Sequence, residues 1–129
     1  MIALDTHVVV WLHAGQVERI PPPVRARLET EALVISPIVV MELEFLREID
    51  RLSLGGEEIF RDLAADLGVQ LCSQPFAAVM REAVRQHWTR DPFNRIIAAQ
   101  ALAAGCDLVT KDEAMLRHCP AAFWRGGHE

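Results

Sequence analysis

The sequence predicts an α/β sandwich, a parallel sheet covered on both faces by helices. Three observations predict it. Short apolar runs of strand length alternate with longer stretches whose apolar residues recur at helical spacing. Two pairs, Ser36-Pro37 and Asp91-Pro92, join a capping side chain to a proline suited to the first helical position. Glycines stand where helices must stop, at Gly68 and Gly105. Helices that alternate with strands act as crossovers, and crossovers make the strands parallel.

Taken in order, residues 1–5 (MIALD) read as a short buried strand. Thr6 to His13 then reads as a helix, with Val8, Trp11 and Leu12 at helical spacing. Pro21-Pro22-Pro23 breaks the chain, and Val24 to Thr30 forms a second helix. Residues 32–35 (ALVI) are the second strand, and Ser36-Pro37 opens a helix that runs to Ile49. Gly55-Gly56 separates it from a helix over 57–66, which Gly68 ends. Val69 to Cys72 is the third strand, followed by a helix over 75–88. Asp91-Pro92 starts a helix that stops at Gly105. Asp107 to Thr110 is the fourth strand, 112–117 a short helix, and Ala122 to Trp124 a last edge strand. With no repeat, low-complexity tract or linker, the 129 residues are expected to form one domain.

Carboxylates fall where this architecture places ligand sites, beyond the carboxyl ends of parallel strands. Asp5 ends the first strand, and Asp112 lies two residues past the fourth. Glu42 and Asp91 sit on the first turns of two helices, so all four can meet at one edge. Glu42 falls within the apolar stripe Ile38, Met41, Phe45, Leu46 and Ile49, which is expected to face the core. A buried carboxylate must be paired with a cation. A buried arginine and a metal ion both satisfy that requirement. Asp91 and Asp112 are also ordinary helix N-caps by position. Asn94 shares the face of Asp91, and Thr6, Ser36 and Thr110 stand at the same strand ends, suited either to capping or to orienting a metal ligand.

Several acids without companion cysteines or clustered histidines suggest a hard cation such as Mg²⁺ or Mn²⁺ rather than zinc. Such a centre suits phosphodiester hydrolysis. The sequence holds no GxxxxGK[ST] phosphate loop, no GxSxG elbow and no HExxH helix. A net charge of −5 does not favour a nucleic-acid enzyme, but removing the four acids from that total leaves −1. Charge therefore does not exclude a nucleic-acid substrate. The chain opens directly on a strand-like run without a basic region, so no signal peptide is expected. No apolar run approaches the roughly 20 residues that span a bilayer, so no membrane association is expected. Three cysteines, Cys72, Cys106 and Cys119, are odd in number and lack CxxC spacing, which fits structural thiols in a reducing cytoplasm.

The segments LDTHVVVWL (4–12), ISPIVVMELE (35–44), RDPFNRIIAAQAL (90–102) and LVTKDEAM (108–115) together resemble PIN domains. Within that family they resemble the VapC-type toxins of bacterial type II toxin–antitoxin pairs. The resemblance runs nearly end to end. It implies a three-layer α/β/α sandwich with a central parallel sheet. It also implies an Mg²⁺- or Mn²⁺-dependent endoribonuclease, a homodimer and a cognate antitoxin partner. Catalytic roles are carried onto Asp5, Glu42 and Asp112 and onto the DPFNR segment, so Asp5, Glu42, Asp91, Asn94 and Asp112 are the expected metal ligands. One position departs from the pattern. Where this branch usually reads DPFDR, residue 94 is Asn, which can coordinate through its amide oxygen but brings no charge. The rival reading is a PIN-like module that binds RNA or a partner and has lost catalysis. A DNA-cleaving relative uses the same acids. A phosphorelay receiver needs an acidic pair after the first strand, and a haloacid-dehalogenase-like phosphatase needs DxD, where this chain has His7.

Overall fold

The computed structural model describes residues 1–125. Five strands form one parallel sheet: β1 (Ile2–Leu4), β2 (Leu33–Ile35), β3 (Gln70–Leu71), β4 (Asp107–Val109) and β5 (Ala122–Phe123). Their spatial order is β3-β2-β1-β4-β5, with Ile2 opposite both Leu33 and Asp107. The three central strands carry almost nothing but aliphatic residues because both sheet faces are covered. Ile2, Leu4, Ile35, Leu108 and Val109 are fully buried.

Seven helices connect and cover the strands: α1 (Thr6–His13), α2 (Pro22–Thr30), α3 (Pro37–Glu48), α4 (Gly56–Leu67), α5 (Phe76–Val84), α6 (Pro92–Ala104) and α7 (Glu113–His118). The result is the expected α/β/α sandwich. A 3₁₀ turn over Val17–Arg19, which hydrophobic period does not reveal, lies between α1 and α2. Gly68 and Gly105 end α4 and α6 in the left-handed conformation, at φ 70° and 68°. Gly56 has a different purpose. A Cβ there would lie 1.9 Å from the Val40 carbonyl oxygen, so a missing side chain lets α4 start against α3. A contact between His13 and Asp62 at 2.8 Å also ties α1 to α4.

The inward face of α3 differs from the sequence expectation. Met41, Phe45 and Ile49 are exposed, and Val39 and Leu43 are the residues sealed in the core. The helix is apolar over more than half its circumference, so two stripes about 100° apart compete, and only tertiary packing chooses between them. Glu42 therefore lies at the border of the buried face rather than at its centre. Leu43 is sealed in the core, and Leu28, Leu52 and Phe60 are packed partly against it. Among the described residues no helix is long and apolar enough to cross a membrane.

Candidate active site

The strand order reverses at β1 and β4: one half of the chain winds outward from β1, the other from β4. Ligand crevices form at such switch points, beyond the carboxyl ends of the strands. Asp5 occupies that place. Its backbone N–H donates to Val109 of β4 at 3.0 Å, which fixes it between the two strands. As the N-cap of α1, its Oδ1 accepts the Thr6 N–H at 2.8 Å, and its Oδ2 accepts the Thr110 hydroxyl at 2.5 Å. Asp5 is only 4% exposed. Burial raises its carboxyl above the usual range, the Thr110 and Thr6 bonds oppose that rise, and the charge of Asp112 adds to it.

Two hydroxyls link Asp5 to the other acids. Thr6 donates its side-chain hydrogen to Glu42 Oε1 in a short bond. Thr110 donates to Asp5 and accepts the Asp112 backbone N–H at 3.0 Å. Glu42, on the second turn of α3, is half-buried, and burial is the main reason its carboxyl is raised; the charges of Asp5 and Asp91 push the same way. Asp112 caps α7 by accepting Met115 N–H at 2.8 Å. Asp91 caps α6 by accepting Phe93 N–H at 2.9 Å and, more weakly, Asn94 N–H at 3.5 Å. Both caps use Oδ1. The charge of Asp112 thus reaches Asp5, and those of Asp5 and Asp91 reach Glu42, which puts the four carboxylates at one sheet edge.

Among the described residues none of the four forms an ion pair with lysine or arginine. The buried-arginine explanation of Glu42 is thereby excluded. The side chains as they lie are not drawn around a single point: no three His, Cys, Asp or Glu residues among those described are placed to hold a metal ion. The donor set nonetheless fits a hard divalent cation, because it is all oxygen, and Asp5 and Glu42, raised by burial and by neighbouring acids, are what such an ion relieves.

A family model described as PIN domain matches residues 2–119. The chain belongs to the PIN domain family. Two solved structures share its fold. One is a chain of VapBC2 from Rickettsia felis bound to a DNA fragment from their promoter, with TM-score 0.64, 17% identity and 95% and 96% of the two chains covered. The other is a chain of DNA-bound VapBC from Salmonella typhimurium, with TM-score 0.58, 23% identity and 94% and 93% covered. No curated protein matches significantly.

In this PIN domain the remaining site expectations divide. Thr6 and Thr110 touch the acids, as described. Ser36 does not. It caps α3 through Ile38 N–H at 3.3 Å and donates to Gln100 Oε1 at 3.0 Å, and Gln100 in turn donates to Gln74 at 3.0 Å. Sequence reading missed Gln100, whose signal was a lone amide within the apolar run 96–102. Asn94 sits on the first turn of α6, and among the described residues its side-chain amide forms no hydrogen bond. Arg95 of the DPFNR segment is structural: it donates to the Ala83 and Val84 carbonyls at 3.1 and 3.0 Å and so finishes the end of α5.

Proposed function

We propose that this PIN domain is a metal-dependent endoribonuclease, the toxin of a toxin–antitoxin pair. The observation that carries the reading is the pair of hydroxyl links, Thr6 to Glu42 and Thr110 to Asp5, which hold uncompensated carboxylates at the switch point of the sheet. Asp5, Glu42, Asp91 and Asp112 would hold Mg²⁺ or Mn²⁺, with Asn94 contributing an amide oxygen. A bound cation of this kind supplies Lewis acidity toward a phosphodiester and offsets charge that develops on its oxygens. Asp5 is the fixed point, immobilised by three hydrogen bonds. Glu42, part-exposed with a carboxyl raised by burial, is the group best placed to take up and release a proton beside the cation. Both threonine hydroxyls orient these oxygens.

The cognate antitoxin would dock in the apolar groove between α1, α2 and α4, lined by Leu12, Val17, Leu28 and Leu67. Arg25 lines the same groove, and its Nε is buried without a hydrogen-bond partner among the described residues. A homodimer would use the exposed stripe Met41, Phe45 and Ile49, where Phe45 meets Phe93 with ring centroids 5.9 Å apart. A cytoplasmic location fits three free cysteines whose thiols are raised by burial, Cys72 to about 11. Asn94 favours a second reading, a PIN module that binds without cutting. Cleavage of a mixed RNA pool with Mn²⁺, Mg²⁺ or EDTA decides between them. Metal-dependent cleavage abolished by Asp5→Asn is the expected result. Millimolar Mn²⁺ should also raise the melting temperature of the wild type and raise it less in Asp5→Asn, since an ion that binds only the folded chain stabilises it. No cleavage and no Mn²⁺ effect would refute the enzymatic reading. A monomer at high concentration in sedimentation would refute the dimer.

A further inference from the structure

The surface beside the acids carries a feature that neither the carboxylates nor the fold requires. Trp11 of α1 is flanked by two cations: the Arg19 guanidinium carbon lies 5.8 Å from its ring centroid and the Lys111 ammonium 5.9 Å. The indole itself is fixed. It packs on Trp124, with centroids 5.8 Å apart and planes at 55°, and Trp124 is nearly buried. Both cations are exposed, and among the described residues neither forms an ion pair with a carboxylate. Three other arginines of this acidic chain do pair: Arg27 with Glu31 and Asp107, Arg47 with Glu44, Arg85 with Glu82.

The position ties this cluster to the acids. Lys111 stands between Thr110, bonded to Asp5, and Asp112, the cap of α7. On the other side, the His7 ring lies 6.2 Å from the Trp11 ring, and His7 follows Thr6, bonded to Glu42. The cation-bearing indole therefore borders the carboxylate edge along α1 and the loop after β4.

We propose that Arg19 and Lys111, steadied by Trp11, form a phosphate clamp that binds the backbone of a single RNA strand next to the acidic centre. This deepens the nuclease reading and rests on it. A chain with net charge −5 repels a polyanion at long range, so capture depends on local cations. An aromatic face limits where each flexible side chain can go, so less freedom is lost when a phosphate arrives. The clamp recognises phosphate rather than base, so it sets strand position without sequence preference. An acidic protein segment is the competing occupant. Nucleic acid is favoured because Lys111 adjoins Thr110 and Asp112, and Arg19 shares the same indole.

The experiment measures binding of a fluorescent single-stranded RNA of mixed sequence, in EDTA, across a series of KCl concentrations. The proteins are wild type, the double variant Arg19→Gln/Lys111→Gln, Trp11→Leu and Trp11→Phe. Each lost phosphate contact lowers the salt slope for single strands by about 0.7, so the double variant should lose about 1.4 and bind roughly tenfold more weakly at low salt. Its melting temperature should be unchanged because both side chains are exposed. Trp11→Leu should reproduce part of the loss and Trp11→Phe should recover it, with melting curves showing that both fold. In Mn²⁺ the double variant should raise KM and leave kcat unaltered. An unaltered slope in the double variant, or a wild type without salt-dependent RNA binding, overturns the clamp. So does a loss seen only with an acidic peptide as probe. A wild type that binds RNA with the expected slope yet never cleaves it keeps the clamp and refutes the nuclease reading, so the two failures are distinguishable.

Discussion

Replacing Thr110 by valine tests whether the Thr110 hydroxyl holds the buried Asp5 in its ionised form. Thr110 is fully buried and Asp5 is 4% exposed, so solvent cannot replace the 2.5 Å bond between them. A hydrogen bond to a charged group contributes about 1.5–3 kcal/mol. Valine adds one buried methyl group in exchange, with at most about 0.8 kcal/mol of transfer energy. The hydrogen bond is the larger effect, so Thr110→Val should destabilise by about 1–2 kcal/mol. With an unfolding entropy of about 2.1 cal/mol/K per residue, that corresponds to a melting temperature lower by about 4–8 °C. The sign of its pH dependence follows from Asp5, whose folded pKa lies above the ordinary aspartate value of 3.8. Through the window above that value the folded chain binds more protons than the unfolded one, so the buried charge lowers stability as pH rises. Losing the hydroxyl raises the Asp5 pKa further and deepens this fall. The deficit should therefore be smallest in acid, where Asp5 is protonated, and full at neutral pH. Scanning calorimetry from about pH 4 to about pH 8 reads it, and Thr110→Ser should restore most of the loss. A deficit independent of pH, or one below about 2 °C, would refute the reasoning.

Glu42→Gln removes a carboxyl raised by burial and by the charges of Asp5 and Asp91, while its amide oxygen can still accept the Thr6 hydroxyl. Relative to wild type the variant should gain stability as pH rises above the ordinary glutamate value of 4.5 and show no gain in acid; thermal melts that show no such trend would contradict the raised pKa. Asn94→Asp should tighten Mn²⁺ binding, read by calorimetry, and speed RNA cleavage, while Asp91→Ala should weaken both and also cost about 1 kcal/mol through its lost cap. No change with Asn94→Asp would mean that residue 94 does not face the ion. Gly56→Ala must push α4 away from α3, because the added carbon would meet the Val40 carbonyl at 1.9 Å. It should lower the denaturant midpoint, whereas an exposed helical Gly→Ala change normally raises it; an unchanged or higher midpoint would contradict the close approach.

Local signals with a definite stereochemical meaning were the legible part of this fold. Ser36-Pro37 and Asp91-Pro92 each open a helix at the expected residue, and Gly68 and Gly105 each close one. The acids at strand ends were legible for the same reason, since a polar residue ending an apolar run must emerge at the sheet edge. Orientation was not legible. The sequence of α3 offers two apolar stripes, and the choice depends on α1, α4 and α6 packing around it. The Ser36 hydroxyl could turn either to the acids or to Gln100, and that choice is tertiary. Trp11, Arg19 and Lys111 come from separate stretches of chain, so their meeting is visible only in space.

Three of the four acids also hold the first turn of a helix: Asp5 on α1, Asp91 on α6 and Asp112 on α7. Asparagine caps a helix about as well as aspartate. A lineage can therefore exchange these residues for Asn one at a time, each change dropping a unit of charge from the centre with little penalty to folding. Exchange for alanine gives up the cap and is exposed to selection through stability whether or not the protein is enzymatically active. Descendants that retire from chemistry should thus keep the sandwich and show Asn, rather than Ala, at these corners.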